Sequence, residues 1–553
     1  MTGKKVEANK VAYRKSGRTF EKSGSVNPKA SYYVSLENVV NTDKQDIKTM
    51  VDCGRYFSIF APRQSGKTTF LKRFCHELEK DRTYIAVLLS FEKYSKLSTE
   101  TFYAQIQKKL YRQLMDRLTV LDCDKLEEIT AYLSNHHLTD HIAFGNLFEE
   151  LNRIIQFKKI VIFIDEFDGI PLDELGNFLN TIRDLYLEYK EIEQKALYSV
   201  GLVGIRNITK LIVGGVSPFN IADQVDLPPF SLKNVDDLYS QYTRETNQPF
   251  TRKAIKKVYE ETGGQPWLVN RLGTILTVDV KPETTAPINE KDVGKAIQLL
   301  LQERNVHFDN LYEKAVLYKE TFVEIIFDHV EYNPDDQDQT WLEQYGLVKQ
   351  KESKAVVANN IYKARYLKTF FKEVKAYRDI TLQEYQLPGN RLDMERILLD
   401  FEQYIAQIGV NAFYQKWAAP VPQGDEEIIE TKPYEKTGQF LLTAWLYTYV
   451  KGGEGELRYK VVSGLGRMDI FLSYKGHKYI IETKVNRYKD ISVVLAEGIL
   501  QVSGKYLASE GAAAGYLVIF DTRTPVGAAC KPQYHKTGDS KVISFTIGIG
   551  RND

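Results

Sequence analysis

The stretch that most constrains the fold of this chain is RYFSIFAPRQSGKTTFLKRF, at residues 55–74. An apolar, aromatic run over residues 55–60 predicts a β-strand, and apolar residues at helical spacing over residues 70–78 predict an α-helix. The loop between them ends in Gly, Lys and Thr. Such a loop before a helix N-terminus presents backbone N–H groups and a positive dipole end to an anion. The stretch therefore predicts a phosphate-binding loop within an α/β domain.

The residue types of this loop, residues 61–69, indicate how it would hold ATP. Backbone N–H groups from Gln64 to Thr68 would surround the β-phosphate, and the Lys67 ammonium would reach the β- and γ-phosphates. The hydroxyl of Thr68 would be offered to Mg²⁺. Ala61 stands where such loops open with Gly, so the first turn has to accept a side chain. The expected nucleotide contacts in this loop are Ala61, Gln64, Ser65, Gly66, Lys67, Thr68 and Thr69.

A second motif, KKIVIFIDEFDGI at residues 158–170, predicts a buried strand that ends in two acids. In an open α/β sheet, ligands bind at the carboxyl ends of the parallel strands. We therefore expect Asp165 to hold Mg²⁺ through water and to contact the bound nucleotide in this way. We expect Glu166 to be catalytic by polarising the water that attacks the γ-phosphate. The alternative is a solvated strand end whose Asp caps the following helix.

Two later segments could complete such a site. In YSVGLVGIRNITKLIV, Arg206 or Asn207 would sense the γ-phosphate, or the segment is an ordinary surface turn. In EETGGQPWLVNRL, the paired glycines before Gln265 and Pro266 would let the backbone at Gly264 approach the nucleotide. The alternative is a plain helix stop followed by a helix start.

The whole-chain composition indicates several globular domains. The 553 residues suffice for about three or four domains, with 43% apolar and 27% charged residues. A net charge of +1 supplies no global field for nucleic acid, so any such contact is local. Four cysteines without a CxxC pair argue for a reducing compartment. No apolar run is long enough to cross a bilayer and no signal segment is evident, so a cytoplasmic location without a membrane partner is expected.

Strands and helices alternate through residues 55–230, which predicts a mostly parallel sheet. PRQSGKTT, IVIFIDEFD, VSPFNIADQVDLPPFS and GGQPWLVNRL together resemble the AAA-like ATPases close to the STAND branch, over about residues 30–376. The resemblance implies ATP hydrolysis, a helical lid whose Gly264–Pro266 turn touches the nucleotide, and a winged helix. The winged helix would bind DNA or only pack against the ATPase. The candidates for an arginine finger are Arg183, Arg206 and Arg271.

A C-terminal stretch, GRMDIFLSYKGHKYIIETKV at residues 466–485, places charges inside apolar runs. If Lys475-Gly476 is a two-residue turn, Asp469 lies opposite Glu482; if the turn is one residue later, Asp469 lies opposite Lys484. Glu482 and Lys484 share a face in either register. Two carboxylates held that close repel each other unless a cation lies between them, and Mg²⁺ is a suitable cation.

This Asp followed by Glu-x-Lys on the next strand resembles the PD-(D/E)XK nucleases of the restriction-endonuclease-like fold, over about residues 392–553. The resemblance implies that Asp469 and Glu482 bind Mg²⁺ and that Lys484 assists phosphodiester cleavage. Glu435 would add a carboxylate from the preceding helix, and Arg467 would touch the scissile backbone. Some members add Gln and Tyr from the following helix; Gln501 fits, but Tyr506 departs from the usual spacing. The alternative is a hairpin in which Asp469 and Lys484 form an ion pair.

These observations predict a multidomain α/β protein: a P-loop ASCE-type ATPase core with helical lid and winged helix, plus a restriction-endonuclease-like α/β/α domain. The expected function is an ATP-hydrolysing, Mg²⁺-dependent nuclease for DNA that is gated by the ATPase. Its setting would be defence against phage or plasmids, or the processing of mobile DNA. A STAND-type switch that binds nucleic acid without cutting is the main alternative, and a DNA motor ranks third. RNA as substrate and a homo-oligomer are left open. The expected divisions are a basic solvated tail (1–30), the ATPase core (31–235), the lid (236–304), the winged helix (305–376), a linker (377–391) and the nuclease domain (392–553).

Overall fold

The computed structural model describes residues 12–550 apart from residues 156–157, 189–196, 206–220, 328–329, 371–381, 410–434, 451–454, 464–465, 488, 508–510, 513 and 539. The chain forms two compact units. The first comprises Met1–His307 with Gln344–Gly346, and the second comprises Phe308–Glu343 with Leu347–Asp553. The division after His307 lies close to the predicted end of the lid, whereas most of the predicted winged-helix segment falls in the same unit as the predicted nuclease domain.

The first unit is built on a parallel sheet in the order β2-β3-β4-β1-β5. This arrangement confirms the predicted parallel sheet. Because β4 lies between β1 and β3, the strand before the phosphate loop and the acidic strand are not neighbours. The strands are β1 (Phe57–Phe60), β2 (Tyr84–Ser90), β3 (Lys159–Asp165), β4 (Leu197–Gly204) and β5 (Asp223–Val225).

Burial on both faces explains the near-continuous apolar sequence of β3. Ile160, Ile162 and Ile164 belong to one buried apolar cluster. Val161 and Phe163, which alternate with them, belong to another. Successive side chains of a strand point to opposite faces, so both faces of the sheet are covered.

Helices surround this sheet and continue through residues 236–304, the segment for which the sequence predicts a helical lid. Their starts are capped by side chains: Ser231 and Asn234 form a capping box, and Thr251 accepts from Ala254 N. The helices are α1 (Ile47–Asp52), α2 (Lys67–Leu78), α3 (Thr99–Val120), α4 (Leu126–Asn135), α5 (His141–Ile154), α6 (Leu172–Glu188), α7 (Leu232–Thr246), α8 (Arg252–Thr262), α9 (Pro266–Thr274) and α10 (Glu290–Leu300). A 3₁₀ turn spans Phe167–Gly169, and a π-helical turn spans Ile275–Val280.

The N-terminal segment from residue 12 onward packs along the lid and departs from the predicted solvated tail. Phe20 is buried, and its ring lies 5.4 Å from that of Tyr239. Arg18 pairs with Glu245 at 2.7 Å, and Trp267 Nε1 donates to Lys22 O at 3.0 Å. The neighbours of Phe20 in sequence are exposed or half-buried, so this one aromatic side chain anchors an otherwise polar segment.

Residues 306–370 contain helices and one antiparallel hairpin, which lies where YGLVKQKESKAVVANNIY predicted it. The two strands are joined at Glu352, whose φ of 56° is left-handed. The elements are α11 (Val306–Leu317), α12 (Lys319–Phe327), α13 (Gln337–Gln344), β6 (Val348–Lys351), β7 (Lys354–Val357) and α14 (Asn360–Phe370).

The predicted linker is ordered in its described part. A 3₁₀ turn (Leu382–Tyr385) leads into a short antiparallel pair, β8 (Gln386–Leu387) and β9 (Arg391–Leu392). Tyr385 is buried, and the backbone N–H of Leu392 donates to Tyr479 Oη at 2.6 Å. Residues 382–391 are therefore part of the C-terminal fold rather than a spacer; residues 377–381 lie outside the described chain.

A mixed sheet in the order β10-β11-β12-β13-β15-β14 forms the rest of the second unit. The β10–β11, β11–β12 and β14–β15 pairs are antiparallel, whereas β12–β13 and β13–β15 are parallel. Its strands are β10 (Gly455–Ser463), β11 (Gly466–Tyr474), β12 (His477–Asn486), β13 (Ala514–Pro525), β14 (Gln533–Thr537) and β15 (Ser540–Gly550).

Helices cover both faces of this mixed sheet. They are α15 (Met394–Ile408), α16 (Glu435–Val450) and α17 (Ile491–Gln501), the last followed by a π-helical turn, Val502–Leu507. A Cβ on Gly438 of α16 would lie 2.4 Å from the Phe520 ring, and one on Gly498 of α17 would lie 2.6 Å from Leu517. Phe520 and Leu517 are an odd number of residues apart on β13, so the two helices lie on opposite faces. The layers are helix, sheet, helix. Within the described residues, no helix has the length and apolar character needed to cross a membrane.

Candidate functional site

The loop between β1 and α2 is closed around its lysine. Gly66, the N-cap of α2, has φ 94°, and Gln64 has φ 60°, so two residues take left-handed conformations within this turn. The Lys67 ammonium is 4% exposed and donates to Ala61 O and to Pro62 O, both at 2.8 Å. Ser65 Oγ also donates to Pro62 O at 2.8 Å. Ala61 is buried at the loop opening, where its side chain is accommodated.

The acidic strand end meets the start of α2. Thr68 Oγ1 donates to Asp165 Oδ2 at 2.5 Å, although the two residues are 97 positions apart in sequence. Asp165 is 3% exposed at the last position of β3. A hydroxyl and a carboxylate in contact beside a phosphate loop are the oxygen ligands that suit Mg²⁺. Thr68 and Asp165, which the sequence assigned to Mg²⁺ at this site, are therefore in contact.

Burial and the neighbouring charges together set the pKa of Glu166. Burial raises the pKa of Glu166, whereas the charge of Lys67 lowers it and that of Asp165 raises it. Burial also lowers the pKa of Lys67, against the opposing effect of Glu166. Glu166 has a φ of 50°, and such left-handed non-glycine residues are enriched at functional sites. A half-buried carboxylate with a raised pKa is suited to accept a proton from water.

The lid turn lies against this loop. Gln265 Nε2 donates to Gln64 O at 3.2 Å, and Gln265 Oε1 caps α9 by accepting from Leu268 N at 2.6 Å. Gly264 has φ 74°, and a Cβ there would lie 1.9 Å from Phe230 O. Pro266 is the first residue of α9. The left-handed φ and the close approach to Phe230 O both require glycine at position 264, and the predicted approach of this turn to a nucleotide stays a prediction.

The other residues that the sequence suggested for the nucleotide site lie in different parts of the first unit. The hydroxyl of Thr69 accepts from Val26 N at 3.0 Å, so the N-terminal segment reaches the loop as well. Arg271 is held by Glu303, with Nε 3.0 Å from Oε2. Arg183 lies on α6, and its buried Nε has no hydrogen-bond partner among the residues that the structure describes. Arg206 and Asn207 lie outside the described residues.

In the second unit, the hairpin of β11 and β12 adopts the first of the two registers considered. Lys475 and Gly476 form the turn with φ of 45° and 87°, and Tyr474 lies opposite His477. Pairing continues to Ile470 opposite Ile481 and stops there. The next residues in this register are Asp469 and Glu482, so the strands separate at the two acids.

Side chains replace the backbone ladder where the two strands separate. The backbone N–H of Asp469 donates to Glu482 Oε2 at 3.4 Å. In return, Asp469 Oδ2 accepts from Thr483 N at 2.8 Å and from Thr483 Oγ1 at 2.7 Å. Lys484 Nζ donates to Glu482 Oε1 at 2.9 Å. The alternative ion pair between Asp469 and Lys484 is not formed: the lysine pairs with Glu482.

Burial and charge make Glu482 a weak acid. It is 1% exposed. Burial, followed by the nearby charge of Asp469, raises the pKa of Glu482 to about 7, and Lys484 only partly opposes this. Two acids in contact, one of them buried, form a site that a hard divalent cation would stabilise.

A tyrosine that the sequence spacing disfavoured lies beside this cluster. Gln501 Nε2 donates to Tyr506 Oη at 3.0 Å. Burial raises the pKa of Tyr506, and the charges of Glu482 and Asp469 raise it further. The π-helical turn after α17 brings residues five apart into line, so the extra residue between Gln501 and Tyr506 is absorbed. No local pattern in the sequence predicts this π-helical turn.

The other two sequence candidates of this cluster are only partly described. Glu435 is the first residue of α16 and Arg467 is in β11, but neither side chain belongs to the described part of the structure. Within the described part, no group of three or more His, Cys, Asp or Glu residues could hold a metal. The candidate cation ligands there are Asp469 and Glu482 alone, and one or two carboxylates plus waters suit Mg²⁺.

Comparison with known proteins relates the first part of the chain to one family. A family model described as AAA-like domain matches residues 21–369, more than half of the 553 residues. An uncharacterized WD repeat-containing protein of Synechocystis is 22% identical over 341 residues. That alignment covers 58% of this chain and 28% of the relative, so the chain spans little more than a quarter of that protein.

Solved structures resemble the chain only distantly. A Walker-type ATPase of Pyrococcus abyssi is 12% identical, covering 60% of this chain and 98% of that chain, with a TM-score of 0.41. The RuvB Holliday junction branch migration motor of Thermotoga maritima is 15% identical, covering 57% and 90%, with a TM-score of 0.30. The ORC1 protein of Aeropyrum pernix in complex with DNA is 11% identical, covering 60% and 93%, with a TM-score of 0.27.

Proposed function

The chain belongs to the family of AAA-like domains, and on this premise we propose that it is an ATP-hydrolysing, Mg²⁺-dependent nuclease that cuts DNA under control of its ATPase. The first unit would bind and hydrolyse ATP. The second would cleave the phosphodiester bond at the Asp469–Glu482 cluster. The single observation that carries the nuclease half is the side-chain bonding at the point where the strands separate: Asp469 N–H donates to the Glu482 carboxylate, and Thr483 N–H donates to the Asp469 carboxylate.

The ATPase half assigns the loop residues to phosphate binding. Lys67 would exchange its bonds with Ala61 O and Pro62 O for the phosphate oxygens, which are stronger acceptors for an ammonium. Thr68 and Asp165 would hold Mg²⁺, which when bound supplies charge neutralisation at the phosphates. Glu166 would orient the attacking water and accept its proton.

The nuclease half assigns a distinct task to each polar group of the cluster. Asp469 and Glu482 would hold Mg²⁺, which when bound supplies positive charge at the scissile phosphate. Lys484, about one-quarter exposed, would donate to the developing negative charge on the phosphate oxygens. Thr483 would keep the Asp469 carboxylate in place through two hydrogen bonds. Without a cation, Glu482 holds its proton to higher pH than an exposed carboxyl group does, so cation binding and proton release are coupled.

Incubation of supercoiled plasmid with the pure protein tests the nuclease half. Wild type with Mg²⁺ and ATP is expected to nick or linearise the plasmid. Asp469→Asn and Glu482→Gln should lower cleavage by at least about 100-fold and leave ATP hydrolysis within about twofold. Glu497→Gln, an exposed acid on α17 paired with Lys489, is the matched control and should cut normally.

The same assay separates the alternatives. If wild type binds plasmid in a gel shift but never cuts it with Mg²⁺ or Mn²⁺, the chain is a STAND-type switch that recognises nucleic acid without cutting it. If cutting survives Asp469→Asn, the proposed cluster is not the catalytic site.

We infer that residues 308–370 act as a winged helix that links the two activities. The hairpin of β6 and β7 supports this assignment, because it follows a set of helices as a wing would. Its exposed Lys349, Lys351 and Lys354 would suit contact with a phosphate backbone. The inferred setting is cytoplasmic defence against phage or plasmid DNA, and phage plating on cells carrying wild type or Asp469→Asn tests it.

A further inference from the structure

The strand β4 is held at its carboxyl end by a side chain rather than by its neighbour β3. The β3–β4 pairing ends at Ile164 opposite Leu202, whereas the β1–β4 pairing continues to Phe60 opposite Gly204. The backbone N–H of Ile205 therefore lies beyond the ladder. It donates to Asp168 Oδ2 at 2.6 Å. A buried N–H without a partner is costly, so this carboxylate replaces the missing ladder bond.

The opposite side of the same strand end is attached to the phosphate loop. Gly204 O accepts from Ala61 N, the first residue of the loop, at 3.2 Å. Asp168 itself belongs to the 3₁₀ turn that follows Glu166. The end of β4 is thus fixed between the phosphate loop and the turn that carries the glutamate.

Two glycines make room for Asp168 and for the turn that carries it. A Cβ on Gly204 would lie 2.6 Å from Asp168 Oδ2, so this position accepts only glycine while the carboxylate stays in place. A Cβ on Gly169 would lie 2.1 Å from Phe91 O, just past the end of β2. The turn therefore lies close to the ends of both β2 and β4, and the Asp168 carboxylate is in contact with the end of β4.

We propose that Asp168 is a positioning residue for ATP hydrolysis: it fixes the point at which the chain leaves β4, beside the phosphate loop and the Glu166 turn. The inference rests on the ATPase half of the proposed function. Asp168 would contact neither ATP nor the attacking water. Its loss would let the end of β4 shift relative to Lys67 and Glu166, and displacement of a catalytic group by about 1 Å can cost about 100-fold in rate.

Steady-state ATP hydrolysis by the full chain tests this assignment. Asp168→Ala is expected to lower kcat at least about tenfold while KM and the affinity for ADP change less than about threefold. Asp168→Asn keeps an amide oxygen that accepts from Ile205 N–H, so its kcat should lie within about threefold of wild type. Asp173→Asn, an exposed acid in the first turn of α6, is the control and should match wild type.

Gly204→Ala provides a second perturbation that leaves the carboxylate present. It should displace Asp168 and reproduce the loss of kcat, and the double variant with Asp168→Ala should lose no more than either single variant. If a thermal melt shows that Asp168→Ala is unfolded, Gly204→Ala and Asp168→Asn are the variants that test the proposal.

Three results overturn the inference. These are an Asp168→Ala protein with wild-type kcat, an Asp168→Asn protein as slow as Asp168→Ala, and a loss of ADP binding that matches the loss of rate. Wild-type protein that binds ATP but never hydrolyses it overturns the ATPase half of the proposed function, and this inference with it.

Discussion

Glu482 should make the second unit less stable as the pH rises, because its carboxyl group is buried as an acid and costly to bury as an anion. Its ordinary pKa of 4.5 applies in the unfolded chain, whereas burial and Asp469 raise the pKa of Glu482 to about 7 in the fold. A raised carboxyl pKa favours the folded state fully below pH 4.5, and this advantage is lost as the pH rises through 7. Between about pH 5.5 and pH 7 the folded chain retains a proton that the unfolded chain has lost.

The magnitude follows from that interval. One pH unit over which the folded state holds one extra proton is worth about 1.36 kcal/mol, so about 1.5 units give about 2 kcal/mol. The equilibrium constant for opening the sheet should therefore rise about 30-fold between about pH 5.5 and pH 8. Glu482→Gln cannot ionise and should lose this part of the pH dependence.

Hydrogen exchange followed by mass spectrometry measures the effect in the full chain. Peptides from β11 and β12 report the opening of the sheet that carries the cluster, once rates are corrected for the intrinsic pH dependence of exchange. At about pH 8, Mg²⁺ should restore protection in wild type and not in Glu482→Gln, because a cation that binds only the folded site stabilises it. Glu497→Gln should behave as wild type.

If the protection of β11 and β12 depends on pH equally in wild type and in Glu482→Gln, the expectation is refuted, because the buried carboxyl group then contributes nothing to the pH dependence of stability. Protection by Mg²⁺ that is identical in the two proteins would separately exclude Glu482 as a ligand.

Three further outcomes are expected. Gly264→Ala should destabilise the first unit by at least about 2 kcal/mol in calorimetry, because of its left-handed φ and the contact with Phe230 O. Gly294→Ala on α10, where a Cβ would make an ordinary 3.7 Å contact with Lys257 Nζ, should be neutral or stabilising by about 0.5–1 kcal/mol. Lys67→Ala should abolish phosphate release from ATP, and normal plasmid cleavage by this variant would show that the ATPase does not gate the nuclease. Tyr506→Phe should slow plasmid cleavage about fivefold, the worth of one hydrogen bond, with little change in thermal stability; an unchanged rate would exclude a role for the hydroxyl.

Much of the two candidate sites was predictable because their signals are short in sequence. The phosphate loop is a strand, a turn and a helix start within residues 55–74, and each part has its own local pattern. The hairpin of β11 and β12 has a Lys-Gly turn that limits the register to two choices, one of which places Asp469 opposite Glu482. The buried β3 was evident from its β-branched run, which ends at Asp165.

Other features could not be predicted, because their partners lie far away in sequence. Nothing around Phe20 indicates the lid surface that buries it. The bond from Ile205 to Asp168 exists because two strand ladders end at different residues. The spacing of Gln501 and Tyr506 argued against a pair until the π-helical turn absorbed the extra residue.

Local sequence determined which backbone segments form strands, turns and helices, and which chemical groups stand at their ends. Such preferences act over a few residues and need no partner. Tertiary structure alone decided which of those groups meet: Thr68 with Asp165, Asp168 with Ile205, and Tyr506 with the acids of β11 and β12. The reason is that these meetings depend on where strand pairing stops and how helices pack, and both are set by burial summed over the whole unit.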